Sequence, residues 1–352
     1  MMTYALDSLC FKYNFRYTSK LLKEYQNLGI NSESGNNESE EILIKNRLKQ
    51  LRQYRIQLDE LLQIPKIEQK TDIWYDMRQN LITASDFAQA LGDGKFGSVK
   101  QFYQKKCEPS NDDATTSKVN PLFKWGNMFE SVAISIYSAL YNVKVHNFGL
   151  LKHPYYNFFG ASPDGISDVG IMVEIKCPKK RKIDGEVPLQ YYYQIQGQLD
   201  VCNLEECDYF ECDFGTCNTR EDFLEKDCIN GFIGIIVEVK DNVFEYSDIG
   251  MSKIQCIEWN TKYDDILPRT YWYLNQFNIK RIYRDPSFIK EKMIMLKEVW
   301  DKIQYYRKNR KAYEIEVLCE FSIETKKYKE KCKEETEKQN LKLNGWSFIE
   351  DS

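Results

Sequence analysis

The residues best suited to chemistry lie in the stretch FFGASPDGISDVGIMVEIK, residues 158–176. Asp164 occupies a Pro-Asp-Gly turn, and Glu174 and Lys176 follow on a strand, with one residue between them. Alternate residues of a strand point to the same face, so Glu174 and Lys176 should project together, and a hairpin would bring Asp164 to that end. Two carboxylates and an ammonium suit a hard divalent cation bound by oxygen. The pattern predicts that Asp164 and Glu174 hold the metal, while Lys176 orients a water or stabilises negative charge developing on phosphorus.

Two further elements carry polar side chains that could join this cluster. Glu130 lies in WGNMFES, a helix with apolar neighbours at helical spacing, and could be a further metal ligand or a base; the alternative is an ordinary surface Glu. Gln194 and Gln198 in YYYQIQGQLDV share a helix face, being four residues apart, while Gln196 points away. A Gln can hydrogen-bond a metal-bound water or a phosphate, although an ordinary polar helix face explains the same pattern.

Phosphate-binding candidates lie at two places in the chain. Arg78 and Ser85 flank the segment LITASD, where a Ser at a helix N-terminus would form a phosphate seat and an Arg could clamp the phosphate. The alternative is that Thr83 or Ser85 is only a helix cap. The strongest basic patch follows the VEIK strand directly and is predicted to contact DNA; it comprises Lys179, Lys180, Arg181 and Lys182.

Two patterns resemble functional sites but are assigned to structure. Glu238 and Lys240 also read as strand Glu-x-Lys, with Asp227 upstream, but no Pro-Asp-Gly turn, basic cluster or Gln-bearing helix accompanies them. This set is predicted to be a plain strand. Four cysteines recur every five residues without the closer Cys-x-x-Cys pairs of zinc or iron–sulfur sites, and are predicted to be packing residues; they are Cys202, Cys207, Cys212 and Cys217.

Composition limits the classes of protein that the chain can represent. Its 352 residues, 42% hydrophobic with a net charge of −4, suffice for one large domain with additions. No apolar run reaches about 18 residues, so no membrane helix is expected, and no secretory signal is recognised at the start. Eleven scattered cysteines favour free thiols in a reducing compartment. Only two histidines weigh against His-based catalysis.

Periodicity and turn signals predict an α/β protein with a mixed sheet. Helices are expected in 1–30, 41–63, on both sides of LITASD up to Gly92, and over 122–140, 189–201 and 286–315, with loops at 31–41 and 107–121. Strands are expected at 143–151, 156–162, 171–176, 206–210 and 232–240. The predicted organisation is a helical N-terminal extension (1–70), a core (71–310) with an insertion near 250–285, and a charged C-terminal tail (311–352).

The motif FGASPDG…VEIKCP followed by YYYQIQGQLDV resembles the PD-(D/E)xK nuclease superfamily. It is most similar to the YqaJ-type viral recombinase family, which includes lambda exonuclease, and W…R…ITASDFAQALG and KWGNMFES fit that family too. The resemblance covers roughly residues 72–250. It implies a restriction-endonuclease-like core, a central mixed sheet flanked by helices, with helical N- and C-terminal extensions. Versions in large DNA viruses have similar extensions, consistent with a viral origin and an intracellular location, in host cytoplasm or a viral factory.

The resemblance also implies an activity, namely 5′-to-3′ degradation of one strand of duplex DNA, dependent on Mg²⁺ with Mn²⁺ as a substitute. Asp164, Glu174 and the Ile175 carbonyl would then bind one metal, and Glu130 a second metal or its water. Lys176 would position the attacking water and Gln194 would orient that water or a phosphate. The 5′-terminal phosphate would be held by Arg78 and Ser85, next to Thr83.

Partners and rival functions follow from the same resemblance. The expected partner is a duplex DNA end, with a single-strand annealing protein and further copies of the chain as additional candidates, in recombination, repair or replication. One rival is a structure-selective endonuclease on the same scaffold. A second is a non-catalytic DNA-binding protein, and a third is an iron–sulfur relative of the CRISPR-associated nucleases.

Overall fold

The computed structural model describes residues 2–28, 37–69, 71–95, 97–108, 121–228 and 231–319. Most of the predicted loops at 31–41 and 107–121, and residues 320–352 of the predicted charged tail, lie outside the described residues. Within these ranges, no helix combines the length and apolar character needed to cross a membrane.

Helices and strands alternate along the chain. The helices are α1 (Met2–Lys12), α2 (Ser19–Asn27), α3 (Asn37–Leu62), α4 (Asp72–Gln79), α5 (Phe87–Leu91), α6 (Val99–Cys107), α7 (Pro121–Tyr141), α8 (Leu189–Cys202), α9 (Arg220–Glu225), α10 (Lys253–Asn260), α11 (Pro286–Lys308) and α12 (Arg310–Tyr313). The strands are β1 (Ile82–Thr83), β2 (Val145–His146), β3 (Leu151–Lys152), β4 (Phe159–Ala161), β5 (Gly165–Ser167), β6 (Met172–Lys176), β7 (Glu206–Cys217), β8 (Ile233–Lys240), β9 (Val243–Tyr246) and β10 (Arg269–Tyr283). A 3₁₀ turn (Ala84–Asp86) precedes α5, and a π-helical segment (Glu314–Cys319) follows α12.

A seven-stranded mixed sheet carries the predicted Glu-x-Lys strand near its middle. Its order is β2-β5-β6-β7-β10-β8-β9. β6 and β7 are parallel, and the other neighbouring pairs are antiparallel. A smaller sheet, β1-β4-β3, lies apart from it. The predicted fold class, a central mixed sheet flanked by helices, is confirmed.

The segment predicted as an insertion near 250–285 contains a long strand of the large sheet, residues 269–283. These residues form β10, which pairs with β7 on one side and β8 on the other, so they are the central strand of that half of the sheet. Their sequence, RTYWYLNQFNIKRIY, is rich in the aromatic and β-branched residues that favour strands.

The N-terminal helices share a hydrophobic core with the large sheet. Leu21, Ile44 and Leu51 are buried in the same cluster as Phe129 of α7 and Phe210 of β7. Buried ion pairs add to this contact: Arg47 of α3 bonds to Asp7 of α1 at 2.6 Å and also to Glu206 of β7. The predicted helical character of 1–70 is seen, and these helices are packed into the fold.

The chain after Pro286 covers one side of the molecule. Asp285 accepts hydrogen bonds from the first backbone N–H groups of α11, and Pro286 occupies its first turn, as expected for a helix start. The predicted helix over 286–315 is confirmed as far as Lys308, where Asn309 interrupts it. Tyr313 and Val317 are buried in the core, so the first part of the predicted tail is anchored to the fold by these two side chains.

Candidate active site

The turn before β5 brings Asp164 against the strand that carries Glu174 and Lys176. Asp164 Oδ2 accepts a hydrogen bond from the backbone N–H of Ile175 at 2.7 Å. Glu174 and Lys176 project to the same face of β6, where the Lys176 ammonium forms a close ion pair with the Glu174 carboxylate. Glu174 is fully buried, whereas the Lys176 side chain is 22% exposed. The predicted convergence of the three side chains is thus seen.

A cleft of about 320 Å³ opens beside these residues. Glu130 lies in it because α7 crosses the same end of the sheet, and the cleft is also lined by Leu122, Phe123, Ile175, Lys176, Arg181 and Tyr191. The Lys176 ammonium lies 4.8 Å from the centre of the Tyr191 ring, a cation–π contact. The structure therefore brings Glu130 and the Ile175 backbone to the predicted metal site.

The electrostatics of the cleft are dominated by carboxylates. Burial raises the pKa of Asp164 well above its usual value, and the neighbouring charges of Glu174 and Glu130 raise it further. Burial acts to lower the pKa of Lys176, but the charges of Glu174 and Asp164 outweigh burial and raise it. Three carboxylates therefore face one ammonium, and a divalent cation would relieve their mutual repulsion.

The chemistry of the donor set fits a hard cation. Carboxylate and carbonyl oxygens are what Mg²⁺ prefers, and Mg²⁺ usually keeps several waters and uses only one or two protein carboxylates. No group of three or more His, Cys, Asp or Glu side chains in the described ranges is arranged to enclose a metal.

Gln198, and not Gln194, contacts the carboxylate cluster. Gln198 Nε2 donates to Glu174 Oε2 at 2.9 Å, and this is the hydrogen bond that α8 makes to Glu174 in the described structure. The two glutamines share a helix face, as predicted, but Gln198 lies one turn further along and is fully buried against β6. The glutamine in contact with Glu174 is therefore Gln198, while the water-orienting role of Gln194 stays a prediction. Gln196 instead binds the backbone of Tyr283 and Asp285, at the start of α11.

Glu211 is a carboxylate on the same face that sequence reasoning missed. In the parallel pairing of β6 with β7, Lys176 lies opposite Glu211, and Glu174 lies opposite Tyr209. Glu211 is fully buried, accepts a hydrogen bond from the Tyr209 hydroxyl at 2.7 Å and forms an ion pair with Arg181. The alternation in ECDYFECDF shows that Tyr209 and Glu211 share a face, but the sequence does not reveal which neighbour that face meets.

The residues of the basic patch after β6 differ in their contacts. Arg181 is held at the rim of the cleft by Glu211, so much of its charge is neutralised there. The Lys179 ammonium lies 4.7 Å from the centre of the Trp125 ring, and Lys180 is exposed. The exposed lysines of the patch predicted to contact DNA are therefore Lys179, Lys180 and Lys182.

Arg78, Thr83 and Ser85 come together, although not at a helix N-terminus as predicted. Arg78 Nη2 donates to Ser85 Oγ at 3.3 Å, and Ser85 Oγ lies 3.0 Å from Thr83 Oγ1. Thr83 precedes a single 3₁₀ turn and makes no side-chain capping bond, because its hydroxyl donates to Asp86 at 2.8 Å. Gly92, with φ 84°, ends the short helix α5 as predicted.

A close helix contact joins this group to the cleft. Gly197 of α8 packs against the 3₁₀ turn, and a Cβ there would lie 2.9 Å from Phe159 Cζ and 3.2 Å from Ala84 Cβ. Only glycine allows so close an approach without displacing the ring or the turn. Gln198, the next residue, is thereby placed against Glu174 while the turn that carries Ser85 lies on the opposite side of the helix.

The pattern assigned to a plain strand is confirmed as a strand. Glu238 lies on β8, where the Lys124 ammonium bonds to it at 2.7 Å and Asn242 donates a backbone N–H at 3.0 Å. The ten cysteines among the described residues are all free thiols.

Comparisons with known proteins agree with the resemblance seen in the sequence. Residues 73–205 match the family model of the YqaJ-like viral recombinase domain. A curated relative, an uncharacterised protein of Acanthamoeba polyphaga mimivirus, is 25% identical over 311 residues, which cover 72% of this chain and 55% of that protein. The chain thus spans about half the length of this relative. The predicted resemblance to the YqaJ-type family is confirmed over the matched residues.

Two solved structures are also similar to this chain. The alkaline exonuclease of Laribacter hongkongensis is 21% identical with a TM-score of 0.45, and the match covers 70% of this chain and all (100%) of that one. A phage-related exonuclease from Haemophilus somnus 129PT is 13% identical with a TM-score of 0.38, over 64% of this chain and 93% of that one.

Proposed function

We propose that this protein is a Mg²⁺-dependent DNA exonuclease that degrades one strand of duplex DNA from its 5′ end and releases mononucleotides. The observation that supports it most directly is the convergence of Asp164, Glu174 and Lys176 at one end of β6. The match of residues 73–205 to the YqaJ-like viral recombinase domain supports a nuclease role for this cluster.

In this proposal Asp164, Glu174 and the Ile175 carbonyl hold the cation, and Glu130 holds a second cation or its water from the other wall of the cleft. The bound cation would polarise the phosphodiester and lower the pKa of a water molecule. The protein contributes position and charge: the buried Glu174 is fixed by Lys176 and Gln198, and Asp164 by the Ile175 N–H.

Lys176 acts as a donor of hydrogen bonds in this mechanism. The charges of Glu174 and Asp164 raise its pKa and so favour the charged ammonium, which donates hydrogen bonds. It can orient the attacking water through that water's lone pair, or stabilise the charge that develops on the phosphoryl oxygens. Gln198 supports it by holding the carboxylate that Lys176 faces.

The direction of degradation would be set by the group formed by Arg78, Thr83 and Ser85. An Arg and two hydroxyls can bind a terminal phosphate through several charge-assisted hydrogen bonds. The natural substrate would then be a duplex end with a 5′-phosphate. A single-strand annealing protein, further copies of this chain, and roles in recombination, repair or replication inside an infected cell are the partners and setting proposed with it.

A comparison of DNA forms tests the proposal. Purified protein and Mg²⁺ are incubated with end-labelled linear duplex DNA and with a covalently closed circle, and Glu174→Ala serves as the control. Loss of the linear DNA alone, as mononucleotides from 5′ ends, is the expected result. Glu174-dependent cutting of the circle would favour a structure-selective endonuclease. Binding of DNA without Glu174-dependent loss of either form would favour a non-catalytic role.

A further inference from the structure

A closed ring of hydrogen bonds lies beneath the proposed phosphate seat. The buried Lys106 ammonium donates to the backbone carbonyl of Arg78 at 2.7 Å and pairs with Asp86 Oδ2 at 3.2 Å. Asp86 Oδ2 accepts from Thr83 Oγ1 at 2.8 Å, Thr83 Oγ1 lies 3.0 Å from Ser85 Oγ, and Ser85 Oγ accepts from Arg78 Nη2 at 3.3 Å. Arg78 is thus fixed at both ends, its carbonyl by Lys106 and its guanidinium by Ser85.

The charges around the ring do not balance. Asp86 is buried and is the carboxylate between Lys105, at 2.8 Å, and Lys106. Arg78 is the third cation acting on this carboxylate, so these four side chains of the described structure together carry an excess of two positive charges. Their effect is seen at Asp86: burial would raise its pKa, but the charges of Lys106 and Lys105 lower it below the usual range. An anion that approached the exposed Ser85 would meet this excess charge.

Packing alone does not account for a buried lysine at this place. Lys106 is only 2% exposed, and burial lowers its pKa to about 8 although Asp86 opposes that effect. Removing two charges from water costs more than burying apolar side chains of the same volume, so an apolar pair would pack as well. The pair does what apolar side chains cannot do, because it binds the Arg78 carbonyl and the Thr83 hydroxyl.

The last turn of α6, which carries both lysines, is held in place. Gln79 Nε2 donates to the carbonyls of Lys105 and Lys106, each at 3.0 Å. Arg307 of α11 donates to the carbonyls of Gln79, at 2.6 Å, and of Lys106, at 2.7 Å. The end of α4, the end of α6 and α11 are therefore locked together, and Lys106 has a defined position from which to hold Arg78.

We infer that Lys106, through Asp86 and the Arg78 carbonyl, is a positioning residue that builds a seat for a dianionic phosphate, and that Lys105 supplies part of its charge. The inference rests on the proposed function, because the phosphate is that of a DNA 5′ end. A terminal phosphomonoester carries about −1.5 to −2 charges at pH 7, whereas an internal phosphodiester carries about −1. The excess of two positive charges matches the terminal group and makes the seat selective for it.

The experiment measures binding and turnover of two duplexes that differ only in a 5′-phosphate or a 5′-hydroxyl. Binding is measured by fluorescence anisotropy in EDTA, so that this readout does not depend on catalysis, and KM and kcat are measured with Mg²⁺. Lys106→Met should reduce the preference for the 5′-phosphate roughly tenfold in Kd and KM, because charge-assisted hydrogen bonds are lost, and should change kcat on the 5′-hydroxyl duplex less than about threefold. Lys105→Gln should reduce the same preference by about threefold.

Two further variants separate positioning from folding. Lys124→Met removes an ion-paired lysine of α7 whose partner is Glu238, and should leave the preference unchanged. Asp86→Asn combined with Lys106→Met removes both buried charges, so no unpaired charge destabilises the fold, and it should lose the preference as the single variant does. A wild-type preference in Lys106→Met, or in the double variant if the single variant does not fold, would overturn the inference.

The outcomes also separate this inference from the proposed nuclease activity. If the wild type degrades DNA in a Glu174-dependent way but binds both duplexes equally, the phosphate seat is refuted and the nuclease stands. If it prefers the 5′-phosphate in EDTA and Lys106→Met abolishes that preference, the seat is supported even where no degradation is found.

Discussion

Two strands of the large sheet carry the same Val-Glu-x-Lys pattern, but only one of them is part of a cluster of several charged side chains. Glu174 on β6 is fully buried next to Lys176, Asp164 and Gln198. Glu238 on β8 is 16% exposed, and the lysine that pairs with it is Lys124 from α7. The four-residue motif is therefore not enough; the elements that cover the strand decide whether its glutamate takes part in chemistry.

The surroundings of the two glutamates shift carboxyl pKa values in opposite directions, as Asp164 and Glu238 show. Around Glu174, burial and neighbouring carboxylates raise the pKa of Asp164. At Glu238, partial burial acts in the same direction, but the hydrogen bonds from Lys124 and the Asn242 N–H, together with the Lys124 charge, outweigh it and lower the pKa of the carboxyl. Around Asp164 and Glu174, negative charge exceeds positive charge, and a cation would balance it. At Glu238, the ion pair with Lys124 already balances the charge. Paired substitutions at matching positions of the two strands test this difference.

The largest expected difference is between Glu174→Ala and Glu238→Ala. Removing a metal ligand should cost about 4 kcal/mol of transition-state stabilisation, a roughly 1,000-fold loss in kcat/KM, whereas Glu238→Ala should stay within about threefold of wild type. Release of labelled nucleotides from linear duplex DNA with Mg²⁺ measures both. Equal losses of activity in the two variants would mean that the two strands do not differ in their role in catalysis.

Substitutions of the lysines on the two strands should differ almost as much in their effect on the rate. Lys176→Met should reduce kcat by roughly 100- to 1,000-fold, because it removes the donor that faces the reacting groups, while Lys240→Met should have little effect. Single-turnover rates and DNA binding are measured for each variant. If Lys176→Met kept the wild-type rate, the cluster on β6 would not be the catalytic centre.

A smaller effect on the rate is expected for substitutions in α8, where one of two candidate glutamines contacts Glu174. Gln198→Leu should reduce kcat about 10- to 100-fold, as is usual for a residue that orients a metal ligand, and Gln194→Leu should reduce it less than about threefold. Both variants are compared at saturating Mg²⁺, and thermal unfolding confirms that each is folded. The opposite order of effects would return the orienting role to Gln194.

The smallest effect concerns stability at the structural glutamate. The pKa of Glu238 is lowered in the folded state, so its ion pair stabilises the protein above the unfolded pKa of about 4.3 and loses that contribution as the pH falls through the folded value. Glu238→Gln should therefore lower the free energy of unfolding by less than about 1 kcal/mol at pH 7 and by nothing measurable below about pH 3. Urea denaturation at both pH values measures this. A loss that did not depend on pH would mean that the ion pair is not its source.

Local pattern determined the candidate active site of this protein. Asp164, Glu174 and Lys176 lie within thirteen residues, and a turn plus the two-residue period of a strand suffices to bring them together. Arg78 and Ser85 are seven residues apart and also met as predicted. The helix 121–141 and its buried face followed from 3.6-residue periodicity. Such contacts need little beyond backbone geometry, so the sequence by itself specified them.

Contacts between distant segments were decided only by the tertiary structure. Whether Gln194 or Gln198 meets Glu174 depends on where α8 crosses the sheet, and Glu211 reaches the active-site face through the register of β7 against β6. The Lys106–Asp86 pair joins segments twenty residues apart, and β10 enters the middle of the sheet from a segment that looked like an insertion. Register and burial result from packing the whole chain, and no local window of sequence contains them.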